Sequence, residues 1–284
     1  MGLPMARNLA HAGLLAGAWN RSGGKAEALA AETQTRAFGS PAELAAASDA
    51  VILCVSADAD VLEIVDAILP SVPAGGIVID CSTVGADTAR EAAARLATRG
   101  AAFLDCPVSG GVEGAKSGSL AIMCGGDPAA FERARPLLQA LGRTVVHMGP
   151  SGSGQATKAT NQIMCAGIIE AVGEAMAFAR AEGLPLERVI EILGQGAGSS
   201  WYFVHRAPFM ARGEFPAGFR VRLHAKDLAI CRDMAAKHGA PLPVAERALE
   251  LYRRLIAEGH GDEDISAVFR LKAALFDRDP ERAG

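Results

Sequence analysis

The sequence lacks several things, and each absence narrows its class. No apolar run reaches ~18 residues, the length a membrane-crossing helix needs. The amino-terminus carries no cationic, apolar and cleavage regions of a signal peptide. A cytoplasmic protein without a membrane span is the expectation. Positive charge is not in excess: the formal net charge is −4, so no cationic field exists for nucleic-acid phosphates or a membrane surface. Charge runs and low-complexity tracts are missing too. The histidines (His11, His147, His205, His224, His238, His260) are scattered without metal-ligand spacing, so no metal is expected. The six cysteines contain no C-x-x-C pair. Cys54, Cys81, Cys106 and Cys124 lie in or beside short apolar runs, which reads as buried, reduced thiols.

What is present is a chain of 284 residues, half of them hydrophobic. Short apolar runs alternate with helical stretches through the first half. The runs are LLAGAW, AVILCV (50–55), GIVIDCS (76–82), AAFLDCPV (101–108), LAIMCGG (120–126) and TVVHMG (144–149). Their continuous apolar character suits parallel strands buried on both faces. Ser40-Pro41-Ala42-Glu43 is a capping box with proline at the first helical position, and Asp127-Pro128 repeats the N-cap and proline. The alternation predicts an α/β, doubly wound sheet. The pattern changes near Gly149. One helix is expected over 155–182, spanning about 40 Å. Further helices are expected at 185–195, 225–238, 243–258 and 263–276, with WYFVHRAPFM as a looser aromatic stretch. The chain divides on this reading into a dinucleotide-binding domain at 1–150 and an all-helical domain at 151–284.

One more absence concerns function. The chain opens MGLPMARNLAHAGLLAGAWNRS. A dinucleotide fold begins with a strand, then G-x-G-x-x-G, then a helix. Here Gly2 immediately precedes a helix at 3–12, and Asn20-Arg21-Ser22 stand where the ribose-reading residue belongs. The register fits if Gly2 is the third glycine. The first strand and two glycines would then lie upstream of Met1. The competing reading makes Gly2 an ordinary residue at a helix start. Asn20-Arg21-Ser22 contain no acid, and an arginine fork suits a 2′-phosphate, which favours NADP(H) with NAD(H) possible. The alternative for Arg21 is a solvated surface arginine.

Three later segments could carry chemistry. In DCPVSGGVEGAKSGSLAIMCGG (105–126), Ser109-Gly110-Gly111 leave a strand as a glycine-rich turn whose backbone N–H groups can approach an anion. In GSGQATKATNQ (152–162), Lys158 and Asn161 share one helix face and Gln162 joins them. In FRVRLHAKDLAI (219–230), Lys226 and Asp227 stand as an adjacent Lys-Asp pair. Each has a plain structural alternative: a strand exit, a solvated helical lysine, a surface pair.

Taken together, these strings resemble the β-hydroxyacid dehydrogenase family, which includes 3-hydroxyisobutyrate dehydrogenase and tartronate semialdehyde reductase. The resemblance covers nearly the whole chain. Family members begin with a strand and a GLGxMGxPMAxNL-like segment, against MGLPMARNL here, so the resemblance implies a start that lacks the first strand and most of the glycine loop. It also implies a polypeptide that, as written, binds dinucleotide weakly. Lys158 matches the catalytic lysine and Asn161 its partner; Ser109, Gly110 and Gly111 match the turn that holds the substrate carboxylate. Gly2, Asn20, Arg21, Ser22, Val55, Ser56, Asp60, Thr83 and Lys226 fall at cofactor positions. Two departures stand out: relatives often carry an amide where Asp60 stands, and a second asparagine where Gln162 stands. GHGDEDISAV (259–268) matches a segment read as structural.

The resemblance implies hydride transfer between NADP(H) or NAD(H) and a small 3-hydroxy carboxylic acid or semialdehyde. Lys158 is then the general acid/base, with a free amine pKa near ~10.4 that burial would lower. A homodimer or homotetramer is implied, with a small-molecule carboxylate as the ligand. Within the class, an imine reductase is disfavoured by Lys158. A 6-phosphogluconate dehydrogenase is disfavoured by chain length and by NQIMC in place of an HNGIE-like stretch. Glyoxylate or succinic semialdehyde reduction, and a non-catalytic dehydrogenase-fold module, are the remaining alternatives.

Overall fold

The computed structural model describes residues 1–277. In chain order the first half holds α1 (Gly2–His11), β1 (Gly17–Ala18), α2 (Gly23–Thr33), β2 (Arg36–Ala37), α3 (Pro41–Ala46), β3 (Ala50–Leu53), α4 (Asp58–Ile68), β4 (Ile77–Asp80), α5 (Ala86–Ala97), β5 (Ala102–Asp105), β6 (Val108–Ser109), α6 (Gly111–Ser117), β7 (Leu120–Gly125), α7 (Pro128–Leu141) and β8 (Gly142–Gly149). The second half holds α8 (Ser153–Ala181), α9 (Leu186–Leu193), α10 (Trp201–Arg212), α11 (Val221–Ala236), α12 (Pro243–Ala257), a 3-10 turn (Ile265–Ala267) and α13 (Val268–Phe276). Both predicted caps form: Ser40 Oγ accepts from Glu43 N, and Asp127 Oδ1 from Ala130 N. Glu43 reaches back to Gly39 N rather than to the cap residue itself.

The chain separates into two compact units, Met1–Lys158 and the residues from Ala159 onward. The division falls inside α8, so its first turns belong with the sheet. In the first unit β3, β4 and β5 run parallel with Ile77 opposite Ala50 and Ala102. Both faces of this sheet are buried, which is why its strands read as unbroken apolar runs. Ile77 and Ile79 pack with Met5, Leu9 and Leu138 of α1 and α7. Val78, between them in sequence, packs with Val61, Val65 and Ala89 of α4 and α5. That is the doubly wound arrangement expected.

Three details differ from expectation. The larger sheet is mixed, because β7 runs antiparallel to β5 and β6 while β8 runs parallel to β7. LLAGAW yields only the two-residue β1, paired with the unforeseen β2 in a separate small parallel sheet. No described strand joins that pair to β3 at the edge of the larger sheet. The aromatic stretch WYFVHRAPFM is a regular helix, α10, capped by Ser200 Oγ and closed at Gly213, whose φ is 71°.

Among the described residues of the second unit every regular element is a helix, joined by loops and one isolated bridge between Arg220 and Asp264. Ala166, Ile169, Val172 and Met176 form the inner stripe of α8, packed with Phe203, Leu228, Tyr252 and Phe269. Their spacing of three and four residues is that of one helix face. Contrary to the sequence expectation, α8 is long and apolar enough by hydropathy to cross a membrane. Its buried stripe accounts for that composition as core. Asp264 caps the 3-10 turn, and its carboxylate also accepts from Gly218 N and Phe219 N, the structural role expected of this segment.

Candidate active site

The glycine turn after β6 is built by backbone conformation. Gly110 has φ 130° and Gly111 φ 65°, values that side-chain-bearing residues rarely adopt. Ser109 is half-buried and pairs with Ala121 across β6–β7. The turn is followed at once by α6, which the sequence did not reveal. Asn8 Nδ2 donates to Ala115 O at 2.7 Å, tying α1 to α6.

Lys158 reaches this turn. Its side chain is buried at 7% exposure, and Nζ donates to Val108 O at 3.0 Å. Val108 immediately precedes Ser109, so the amine and the glycine turn stand side by side in the first unit. The helix carrying Lys158 is anchored at its start. Asp105, fully buried at the end of β5, accepts from Gly152 N at 2.8 Å and from Gln155 N at 2.9 Å. Burial pushes the Asp105 carboxyl above the usual carboxylate range, and those backbone donors oppose the shift. Gln155, 1% exposed, accepts from Val84 N and donates to Ser82 O. Thr83 lies between those two residues and is half-buried. Sequence reasoning missed both Asp105 and Gln155. An acid ending a strand and a glutamine in a Gly-Ser-Ala stretch carry no local signal of burial.

Five of the nine expected cofactor residues, Asn20, Arg21, Val55, Ser56 and Asp60, line one cavity of about 260 Å³ in the first unit with apolar neighbours from β3, α3 and α4; Gly2, Ser22, Thr83 and Lys226 are not in its lining. Arg21 Nη2 donates to Asp60 Oδ1 at 2.9 Å and to Glu63 Oε2 at 3.3 Å. That pairing holds the Asp60 carboxyl below its usual range, chiefly through the hydrogen bond. Asn20 Nδ2 caps Ser22 O, and Ser22 is exposed. Gly2 touches Cys54, and a Cβ there would meet Cys54 Cβ at 3.5 Å, an ordinary contact. Packing therefore does not demand glycine at position 2. The donor set fits a dinucleotide: a guanidinium and an amide for phosphate and ribose, and strand-end loops at Val55–Ser56 and Thr83 where ligands of such sheets bind.

In the second unit, Asn161 lies one helical turn beyond Lys158 on α8. Its Nδ2 donates to Gln162 Oε1 at 2.8 Å. Gln162 is buried and donates to Asp227 Oδ2 at 2.8 Å, and Lys226 Nζ lies 3.1 Å from Asp227 Oδ1. Asn161, Gln162, Asp227 and Lys226 thus form one polar chain. Gln162 serves as its internal link rather than as an exposed amide. Among the described residues no group of histidine, cysteine, aspartate or glutamate is arranged to hold a metal.

Residues 1–149 match the family model described as the NAD binding domain of 6-phosphogluconate dehydrogenase. Residues 152–272 match the model described as NAD-binding of NADP-dependent 3-hydroxyisobutyrate dehydrogenase. The NAD-dependent L-serine dehydrogenase of Pseudomonas aeruginosa is 35% identical over 95% of this chain and 94% of its own. The chain belongs to the β-hydroxyacid dehydrogenase family. The 2-(hydroxymethyl)glutarate dehydrogenase of Eubacterium barkeri is 32% identical over 95% of this chain and 91% of its own. The structure of Mycobacterium tuberculosis 3-hydroxyisobutyrate dehydrogenase with L-serine superposes with a TM-score of 0.86, at 33% identity and 95% coverage of both chains. The chain is accordingly an oxidoreductase, an NAD(P)-dependent dehydrogenase acting on the CH–OH group of hydroxy acids.

Proposed function

We propose that the chain interconverts a small 3-hydroxy carboxylic acid and its semialdehyde, with Lys158 as the general acid/base. The observation that carries this is the buried Lys158 amine, 3.0 Å from the carbonyl that opens the Ser109-Gly110-Gly111 turn. The nicotinamide, when bound, accepts or supplies the hydride. In oxidation, Lys158 Nζ takes the hydroxyl proton as the hydride leaves the same carbon; in reduction it returns that proton to the carbonyl oxygen. Backbone N–H groups of the turn hold the substrate carboxylate, since two glycines let an anion approach without a Cβ in the way. Asn161 orients the lysine or the substrate from the next turn of α8. Lys226 keeps the cofactor role that the family pattern implies.

The preferred cofactor in this reading is NADP(H). Arg21 stands in the cavity wall at the point where NAD-type sites place an acid. The relatives bear names of both kinds, so the support comes from this residue. Gly2, Asn20, Ser22, Val55, Ser56, Asp60 and Thr83 complete the proposed cofactor set. A homodimer or homotetramer completes the reading. The buried free thiols of Cys81, Cys106 and Cys124 suit the reducing cytoplasm.

Steady-state kinetics with NADP⁺ and NAD⁺ against 3-hydroxyisobutyrate, L-serine and other small 3-hydroxy acids tests the proposal, with glyoxylate and succinic semialdehyde as reverse substrates. Lys158→Met should lower kcat by about a thousandfold while cofactor affinity stays near normal. A Lys158→Met protein that keeps most of its turnover removes the lysine from this role. A preference for glyoxylate or succinic semialdehyde over the semialdehydes of the 3-hydroxy acids would move the substrate to the aldehyde-reductase alternative.

A further inference from the structure

We propose that Gln155 is a positioning residue that locks the Ser82–Val84 loop to the helical turn bearing Lys158, so that cofactor loop and proton-transfer group keep one register. The inference rests on the acid/base reading of Lys158.

The case begins with what Gln155 touches. Its side chain is 1% exposed and makes two bonds to one loop. Oε1 accepts from Val84 N at 3.2 Å and Nε2 donates to Ser82 O at 2.9 Å. The amide thus takes the backbone on both sides of Thr83, pairing like one strand with another. Gln155 is equally fixed from behind, because its own N–H donates to Asp105 Oδ2 at 2.9 Å. The loop is tied further: Ser82 Oγ accepts from Val55 N at 2.9 Å, and Ser82 N donates to Asp80 Oδ1 at 2.9 Å. One continuous chain of bonds, buried except at the half-buried Val55 link, therefore joins the carboxyl ends of β3, β4 and β5 to the start of α8.

Lys158 follows Gln155 by three residues, so both sit on neighbouring points of one helical face. A shift of the first turn that relaxed the Gln155 bonds would carry the amine away from Val108. Interactions of this kind act through geometry: a misplacement near 1 Å costs about a hundredfold in rate. Gln155 has no direct role in proton transfer, since a carboxamide does not titrate in the working pH range. Glutamine is required by its two faces. Leucine would fill the volume but leave a buried N–H and a buried C=O unpaired. Glutamate would keep the acceptor for Val84 N and set an oxygen against Ser82 O.

The test uses the full chain with Gln155→Leu, Gln155→Glu and, beside them, Lys158→Met. Each is assayed with the most active 3-hydroxy acid of the panel and NADP⁺, at a temperature well below its measured Tm. For both Gln155 variants the expected result is a kcat lower by about ten- to hundredfold. KM for the hydroxy acid should stay within about threefold. The pH limb of kcat that disappears with Lys158→Met should move in both. If one variant fails to fold, the other is read alone, because glutamate keeps the volume and half of the bonding. A folded variant with kcat within twofold of wild type and an unmoved limb, beside an inactive Lys158→Met, overturns the inference alone. Loss of activity only in proportion to lost folded protein, with the limb in place, makes Gln155 a stabilising residue and also overturns it. An active Lys158→Met overturns the acid/base reading and this inference with it.

Discussion

Arg21 is half of the cofactor question, and its acidic neighbours are the other half. Its exposed guanidinium is shared between Asp60 and Glu63, so a 2′-phosphate would compete with two carboxylates for the same cation. Exposed ion pairs of this type are weak and screened by salt. Replacing both acids (Asp60→Asn with Glu63→Gln) should therefore tighten NADPH binding by up to about fivefold and leave NADH nearly unchanged. Arg21→Ala should weaken NADPH and spare NADH. Fluorescence titration of both cofactors decides it, and an equal effect on the two would remove Arg21 from 2′-phosphate recognition. The sequence showed Arg21 and Asp60 but neither their pairing nor Glu63, because both acids lie on α4, distant in sequence from Arg21. Asp105 offers a second test at this scale. Its carboxyl is raised in the folded chain by burial, so the folded protein holds that proton to higher pH than the unfolded chain does. Stability from this group is complete below about pH 4, where the unfolded carboxyl is also protonated. It is lost as pH rises through the folded value. The difference in Tm between wild type and Asp105→Asn should therefore shift in favour of wild type as pH falls from 7 toward 4. A flat difference would show that Asp105 ionises as freely folded as unfolded.

The elements that could be read from sequence were those whose burial repeats. The runs at β3, β4, β5 and β7 were visible because their sheet faces are largely covered, and α8 because its inner stripe keeps helical spacing; β8 reads as an apolar run although Val146 and Met148 are exposed. The caps at Ser40 and Asp127 were legible as local chemistry. By contrast β2 and β6 are two residues each, too short to show a period, and α6 hides in a glycine-rich segment. The helix α10 was obscured by Pro208 and its aromatics, although Ser200 and Gly213 marked its ends. Contact between α8 and the sheet was invisible for another reason: it depends on missing side chains. A Cβ on Gly154 would fall 2.3 Å from Asp105 O and 2.4 Å from Met123 O, against backbone that cannot yield. Gly154→Ala should force the first turn of α8 off β5 and β7, at a cost of about 2 to 3 kcal/mol and a Tm lower by about 5 to 10 °C. Turnover should fall with it, since Lys158 stands on the next turn of the same helix. A Gly154→Ala protein with unchanged Tm and kcat would mean that the helix start is looser than its bonds imply.

At the scale of the molecule, the two units differ in how they spend apolar residues. Both units leave some large apolar side chains exposed, such as Leu3 and Val146 in the sheet unit, but the most exposed ones lie in the helical unit. Ile192 is 69% exposed, Met164 61%, Trp201 60% and Phe178 52%. Ile192 and Trp201 sit on α9 and α10, which pack together; Val204 of α10 lies within 4 Å of the Cβ position of Gly194. Single exposed apolar side chains such as Met164 and Phe178 need no explanation, but Ile192, Leu193, Trp201 and Val204, all exposed on the two packed helices α9 and α10, mark a surface that gains by being covered. A second copy of the chain is the occupant consistent with the proposed homo-oligomer, and a closed two-fold contact would cover the same patch on both copies. The sequence could announce the apolar residues but not their exposure, because a helix stripe facing a partner and one facing its own core look alike. Sedimentation velocity should give a mass of at least two chains. Ile192→Glu with Trp201→Glu should shift the population to monomer, and the circular dichroism of the helices should be retained. A wild-type protein that sediments as a monomer across micromolar concentrations would leave these side chains to some other ligand and end the homo-oligomer reading.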